Sequence, residues 1–224
     1  MAVMSDPSHS EPNAPFRRHP ARFFDDLDAA AAAIIRHLDA TTGHFDRLSQ
    51  QSDPQRIAAA DIVACSMLDA AIPAPAAAWI LSAEGQWLTT EILADIPSHD
   101  DLWSCGASSI LRAADLFQLL RAPTSQLPAS PDTSALGQAT ATRLLAAKRP
   151  RLVPIDDRQI RQTLRYPKDA LWFRRWRDIM DDELIGLART ARHLAGADRP
   201  TAVNLSELRV LDIVVRQRAK PRRR

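Results

Sequence analysis

The apolar residues of this chain recur every three or four positions, which is the spacing of one face of an α-helix. The first run starts at Pro20, a residue that suits the first turn of a helix, and Gly43 is predicted to end it. The same spacing returns along the chain, with Phe24, Leu27, Ile34, Leu38, Ile110, Leu116, Leu120, Leu184, Ala188, Leu208, Leu211 and Val215 among its clearest members. Strand-like alternation is nearly absent. The pattern predicts an all-α protein, an irregular array of about ten helices.

Residues that favour helix ends indicate where several helices begin or stop. Asp53 followed by Pro54 predicts one helix start, and Ser98 predicts another. Asn204, with Glu207 three residues later, resembles a capping box and predicts that the last helix begins there.

The distribution of periodic segments predicts one all-α domain, residues 19–219, between two tails. Residues 1–18 and 220–224 show no periodicity and are predicted to be disordered, and the second tail is basic. A stretch rich in Pro, Ser and Thr, residues 122–133, is predicted to be a linker inside the domain.

Charge differs sharply on the two sides of this linker, although the net charge of the whole chain is only +2. From Gln138 onward there are 21 Lys and Arg against 10 Asp and Glu, whereas the first 137 residues contain 8 against 17. The part before the linker, 19–121, is therefore acidic, and the part after it, 134–219, is basic. Charge separated in this way favours a polyanionic partner, and double-stranded DNA is the obvious one. An arginine-rich solvated surface is the alternative.

Several classes of protein are disfavoured by what the sequence lacks. No apolar run approaches the roughly 20 residues of a membrane span, and the N-terminus does not resemble a signal peptide. The six histidines show no metal-ligand spacing, and the two cysteines, Cys65 and Cys105, show no pairing pattern. Neither a glycine-rich phosphate loop nor a Ser or Cys nucleophile motif is present. We expect a soluble, reducing, cytoplasmic protein without metal or cofactor.

The segment 135–161 combines several features that suit phosphate binding and a chemical step. Gly137 precedes a helix-forming run, residues 141–147, which leads to the basic residues Lys148, Arg149 and Arg151 and is stopped by Pro150. Asp156 and Asp157 then stand where the next amphipathic helix begins. A turn, a helix N-terminus, cations and carboxylates within one short segment make it the candidate functional site.

Four phrases of the chain resemble an uncharacterised family of bacterial helical proteins. They are ADIVACSML, ILADIPSHDDLW, TATRLLAAKRPRLVPIDD and LSELRVLDIVV, in this order, within residues 43–218. This resemblance implies relatives of the same helical build and implies no activity.

The same central segment also resembles the helix-hairpin-helix DNA glycosylase superfamily. Gly137 stands at the second hairpin glycine and Ala135 at the first, and residues 155–161 are similar to the segment around that superfamily's catalytic aspartate. The resemblance implies a glycosylase-like all-α fold, with Asp157, less favourably Asp156, as the catalytic carboxylate. The residues it would place on DNA are Gly137, Gln138, Ala139, Thr140, Arg143, Lys148, Arg149 and Arg151. Since Ala139 replaces the lysine of the two-step enzymes, the activity implied is monofunctional base excision.

Plainer interpretations exist for each of these features. Gly137 ends one helix, Asp157 caps the next, and the basic cluster forms a solvated face. On this interpretation the protein is a non-enzymatic DNA-binding or protein-interaction module. The aromatic residues at positions 172, 173 and 176, which alternate with arginines, have the spacing of a core stripe rather than of a base-stacking surface. If Gly137 has a positive φ, a β-branched residue there would strain the turn.

Overall fold

The computed structural model describes residues 19–122, 135–166, 168 and 172–219. In this part the regular structure consists of helices alone, which confirms the predicted all-α class. The α-helices are α1 (Leu27–Asp39), α2 (Gly43–Gln51), α3 (Ala59–Ser66), α4 (Ala74–Leu81), α5 (Ala83–Ala94), α6 (Ala107–Arg121), α7 (Gln138–Lys148), α8 (Arg158–Leu164), α9 (Trp172–Ile179), α10 (Asp182–Asp198) and α11 (Glu207–Ala219), with 3₁₀ helices at Pro20–Phe24 and Pro200–Asn204. The predicted tails 1–18 and 220–224, and residues 123–133 of the predicted linker, lie outside the described residues.

Two of the predicted helix boundaries near the N-terminus are wrong. The run after Pro20 is divided, because a 3₁₀ turn comes first and Asp26 caps α1 by accepting the N–H of Ala29 at 2.9 Å. Gly43 begins α2 and does not end α1. Its backbone lies against the end of α1, where an added Cβ would be 2.5 Å from the carbonyl oxygen of Leu38. A close approach between two helices, and not a helix stop, explains this glycine.

Three predicted helix starts also differ from the structure. Asp53 accepts the N–H of Gln55 in a turn, and α3 begins only at residue 59. Ser98 lies in the irregular segment between α5 and α6. Asn204 ends the second 3₁₀ helix, and Ser206 caps α11 by accepting the N–H of Arg209 at 3.1 Å. Only α11 has a neighbouring polar side chain as its cap, because the N-cap residues of α3 and α6 are Ala58 and Gly106, which form no side-chain cap hydrogen bond. Capping preference by itself therefore does not locate these helix starts.

The core is continuous from the acidic part of the chain to the basic part. Helices α1, α10 and α11 pack on one another, while α7 packs between α3 and α6. The side chains of α7 from Ala141 to Lys148 are all buried, so this helix is exposed mainly at its first turn. The aromatic residues Trp172, Phe173 and Trp176 are buried in the same core, which confirms the core interpretation of that stripe.

Candidate nucleic-acid interface

The N-terminus of α7 opens to solvent without a side-chain cap. Gly137 is its N-cap with φ −64° and ψ 156°, so the positive φ considered for this residue is wrong. Other residue types adopt this backbone conformation without strain. An added Cβ at Gly137 would meet nothing within 4 Å. The first N–H groups of the helix, at Gln138, Ala139 and Thr140, form no hydrogen bond with the described residues, and the helix dipole adds partial positive charge there.

The end of α6 lies beside this site. The N–H of Leu136 donates to the carbonyl of Leu120 at 3.0 Å, so the end of α6 and the start of α7 are adjacent. Between them lies a cleft of about 260 Å³ whose walls include Phe117, Arg121 and Gln138, together with Lys168 and the edge of the aromatic core.

Two cations of this cleft have no carboxylate partner among the described residues. The guanidinium of Arg121 lies over the ring of Phe117, 5.2 Å from its centroid, and its Nε is buried without a hydrogen-bond partner there. Lys168 is exposed. The start of α7 is thus flanked by positive charge that the described protein does not neutralise.

The predicted phosphate-binding side chains further along α7 are buried and have internal partners. Lys148 is 2% exposed, and its ammonium donates to Asp61 at 2.6 Å and to Ser52 at 2.8 Å. Burial lowers the pKa of Lys148, and the carboxylate of Asp61 partly offsets this effect. Arg143 is also buried, and it donates to Asp157 at 3.1 Å. Neither side chain projects toward an external phosphate.

Arg149 and Arg151 likewise hold segments of the chain together. Arg149 is 2% exposed and donates to the carbonyl oxygens of Leu93 and Ile96 at the end of α5 at 2.6 and 2.8 Å. Burial lowers its pKa to about 10. Arg151 donates to Asp101 at 2.7 Å. Of the eight predicted nucleic-acid-binding residues, Gly137, Gln138, Ala139 and Thr140 form one accessible group. The side chain of Arg151 is 40% exposed but is paired with Asp101.

Asp157 caps α8, as its place before that helix predicts, and it is also the centre of an ion pair cluster. Its Oδ1 accepts the N–H of Ile160 at 2.9 Å, and its Oδ2 accepts from Arg143 and Arg216. Burial opposes ionisation, but Arg216 and the capped N–H outweigh it and hold the pKa of Asp157 below the ordinary value. Asp157 is 5% exposed, and both of its carboxylate oxygens accept hydrogen bonds from donors inside the protein.

Asp156 lies beside it in a different environment. It accepts the hydroxyl of Tyr166 at 2.7 Å and the guanidinium of Arg161 at 2.8 Å, and it also accepts the side-chain amide of Gln138. Burial raises the pKa of Asp156 despite these donors. The contact with Gln138 links this buried carboxylate to the first residue of α7.

A line of buried and half-buried polar side chains, most of them charged, connects five helices. It runs from Arg143 on α7 and Asp157 at the start of α8, through α11, to α2 and α1. Along it the ion-paired residues are Arg143, Asp157, Arg216, Asp212, Arg209 and Asp46. His37 on α1 ends the line through a hydrogen bond with Asp46 at 2.7 Å. The one available signal was the charged set Arg209, Asp212 and Arg216, which shares a face of the otherwise apolar helix α11.

This arrangement gives the charge separation along the chain a structural cause. Among the residues that the structure describes, cations of the basic part pair with carboxylates of the acidic part at four places: Lys148 with Asp61, Arg151 with Asp101, Arg199 with Asp39, and Arg209 with Asp46. The two parts are therefore each other's counter-ions at these contacts. Only the cations outside such pairs are available to an external polyanion.

The network predicts a loss of stability on acidification. Burial lowers the pKa of His37 below its ordinary 6.5, although Asp46 opposes this, and Arg209 and Asp212 also face the ring. As the pH falls below 6.5, His37 therefore becomes protonated in the unfolded chain but stays neutral in the folded chain. The free energy of unfolding decreases as a result. For Asp46, burial acts against ionisation, but Arg209 and His37 bring the pKa down from 3.8 to about 2, and its contribution is lost as the pH falls through that range.

Thermal unfolding measured from about pH 8 to about pH 3 checks this expectation. In His37→Gln the amide can still donate to Asp46, but it does not titrate. The decrease in melting temperature that begins near pH 6.5 should therefore be smaller in the variant than in the wild type. Identical pH profiles would show that His37 is not held neutral by the fold.

Two further properties concern the described residues as a whole. None of their helices has the length and apolar character needed to cross a membrane. Nor do three or more of their His, Cys, Asp or Glu side chains come together in a way that would hold a metal ion.

Comparison with known proteins gives one match. The model of a family of unknown function, DUF6308, matches residues 21–219. This confirms the resemblance to an uncharacterised family, and it covers every helix described above from α1 to α11. No curated protein and no solved structure is significantly similar to the chain, so the resemblance to helix-hairpin-helix glycosylases stays a prediction.

Proposed function

The chain belongs to the DUF6308 family of unknown function, and from this premise we propose that it binds double-stranded DNA through the N-terminus of α7. The observation that carries the proposal is the uncapped first turn of α7, beside two cations without carboxylate partners among the described residues.

The physical basis is the attraction of a phosphate to several weak donors at once. The N–H groups of Gln138, Ala139 and Thr140 belong to the first turn of α7, where the helix dipole favours an anion. Arg121 and Lys168 add charge in the adjoining cleft. Contacts of this kind position the nucleic-acid backbone and do not distinguish base sequences. The affinity should therefore depend on salt and be largely independent of sequence.

Base excision at Asp157 is a separate part of the prediction and has less support. A catalytic carboxylate must reach the nucleoside, whereas the oxygens of Asp157 already accept from a helix N–H and from two arginines. We therefore propose binding as the function, and excision as the part that an assay for base release must decide.

Capping α7 tests the binding proposal. In Gly137→Asp the new carboxylate would accept the free N–H groups of the first turn and repel a phosphate. Gly137→Asn is the matched control, since asparagine caps about as well as aspartate without the charge. Both variants should be as stable as the wild type or more stable by a few tenths of a kcal/mol. Affinity for a short duplex should fall about tenfold or more in Gly137→Asp and less in Gly137→Asn.

Fluorescence anisotropy with a labelled duplex at two salt concentrations measures these affinities. Wild-type binding that weakens with salt and is lost in the aspartate variant would support the proposal. Equal affinity in the wild type and in Gly137→Asp, with both proteins folded, would exclude the N-terminus of α7 as the site. Absence of binding by the wild type at low salt would overturn the proposed function itself.

A further inference from the structure

A second cleft lies at the opposite end of α7. It has a volume of about 210 Å³ and is formed where the C-terminus of α7 meets α2 and the start of α11. Since α7 has eleven residues, its two ends are about 16 Å apart. The cleft is therefore a site of its own, separate from the proposed DNA surface.

Three polar side chains at this cleft are not used by the fold. Gln50 comes from α2, Ser98 from the segment between α5 and α6, and Asn204 from the second 3₁₀ helix. All three are exposed, and their side chains form no hydrogen bond with the described residues. Two amides and a hydroxyl from distant parts of the sequence thus converge on one concavity, with donors and acceptors available to a ligand.

The charged groups in the wall are already neutralised. Asp46 and Arg209 pair with each other at 2.7 Å, and Lys148 pairs with Asp61 at 2.6 Å. Each of these four side chains is buried. A charged ligand would find no free counter-ion and would lose its hydration. The chemistry of the wall therefore selects for an uncharged ligand.

The size and the remaining surface restrict the ligand further. Sites for drug-sized molecules have volumes of about 300–1,000 Å³, and this cleft is smaller. Apolar atoms of Pro54, Pro150 and Leu205 form part of its wall beside the serine hydroxyls. A single ring with several hydroxyl groups on its edge and an apolar face fits these features. We propose that this cleft binds an uncharged polyhydroxylated molecule of the size of one monosaccharide.

Titration of the isotope-labelled full-length protein with neutral monosaccharides, followed by NMR of the backbone amides, tests the proposal. The probes are glucose, galactose, mannose and N-acetylglucosamine, with glucuronate as the charged counterpart of glucose. At least one neutral sugar should shift the amide signals around Gln50, Ser98 and Asn204. Glucuronate should bind more weakly than glucose, because the wall has no free cation.

A double variant provides the matched control. Gln50→Ala with Asn204→Ala removes two exposed amides, so the fold should be retained while sugar affinity decreases about tenfold or more. Gly137→Asp, at the other end of α7, should leave sugar binding unchanged. The proposal is overturned if none of the four sugars shifts these signals at millimolar concentration, if the double variant binds as tightly as the wild type, or if glucuronate binds more tightly than glucose.

Discussion

Replacing Arg209 by methionine should lower the free energy of unfolding by about 3–5 kcal/mol, the usual effect of removing one partner from a buried ion pair. Arg209 is 4% exposed, and its guanidinium donates to Asp46 at 2.7 and 3.1 Å and also to Asp212. It also lies over the ring of Phe45, 4.9 Å from the centroid. Methionine replaces the apolar methylene groups of the arginine side chain but not its guanidinium. Asp46 is then buried with only His37 as a partner. The free energy of unfolding of an ordinary domain is about 5–15 kcal/mol, so the expected loss is a large fraction of the total stability.

Chemical denaturation of the variant beside two further proteins measures this effect. Arg158→Met, at an exposed position of α8, should change stability by no more than about 0.5 kcal/mol. Arg209→Met combined with Asp46→Leu removes the orphaned carboxylate and should recover part of the loss. If Arg209→Met is as stable as Arg158→Met, the buried network does not hold the acidic and basic parts together.

Replacing Asp157 by asparagine should also destabilise the protein, by roughly 3 kcal/mol. The new amide can still cap α8, because its oxygen can accept the N–H of Ile160. It does not carry the negative charge that Arg143 and Arg216 face, and its own N–H groups compete with theirs. The cap alone would predict little change in stability, because asparagine caps about as well as aspartate.

Asp181→Asn separates the cap from the ion pairs. Asp181 caps α10 by accepting the N–H of Leu184 at 2.8 Å, at an exposed position without buried arginines. Because asparagine caps a helix about as well as aspartate, the free energy of unfolding of this variant should be within about 0.5 kcal/mol of the wild-type value. A similarly small effect of Asp157→Asn would mean that the two arginines contribute nothing to stability through Asp157.

Base excision can be tested on the same proteins. The wild type would be incubated with duplexes that contain alkylated, deaminated or oxidised bases, and base release would be measured. Release by the wild type and by Asp181→Asn, but not by Asp157→Asn measured below its melting temperature, would support a catalytic Asp157. No release from any lesion by the wild type would leave Asp157 with the structural role that its contacts describe.

The sequence by itself determined the helical class and several local features of this protein. The spacing of apolar residues predicted the helices, and Pro150 and Asp157 predicted the end of α7 and the start of α8. These features depend on residues within one helical turn of each other. Periodicity, capping preference and proline geometry describe interactions at that range. Where two capping residues stood close together, as Asn204 and Ser206 do, the same rules did not choose between them.

Only the tertiary structure decided where the charges lie. Lys148 and Arg149 have the same residue types as a phosphate-binding cluster, and nothing near them in the sequence shows that they are buried. Arg209 and Asp46 are 163 positions apart, and no local rule relates them. The free energy of a charge depends on what surrounds it in three dimensions, because burial without a partner is unfavourable and burial with one is tolerated. The fold therefore turned most of the predicted DNA-binding cations into internal counter-ions and left the first turn of α7 open.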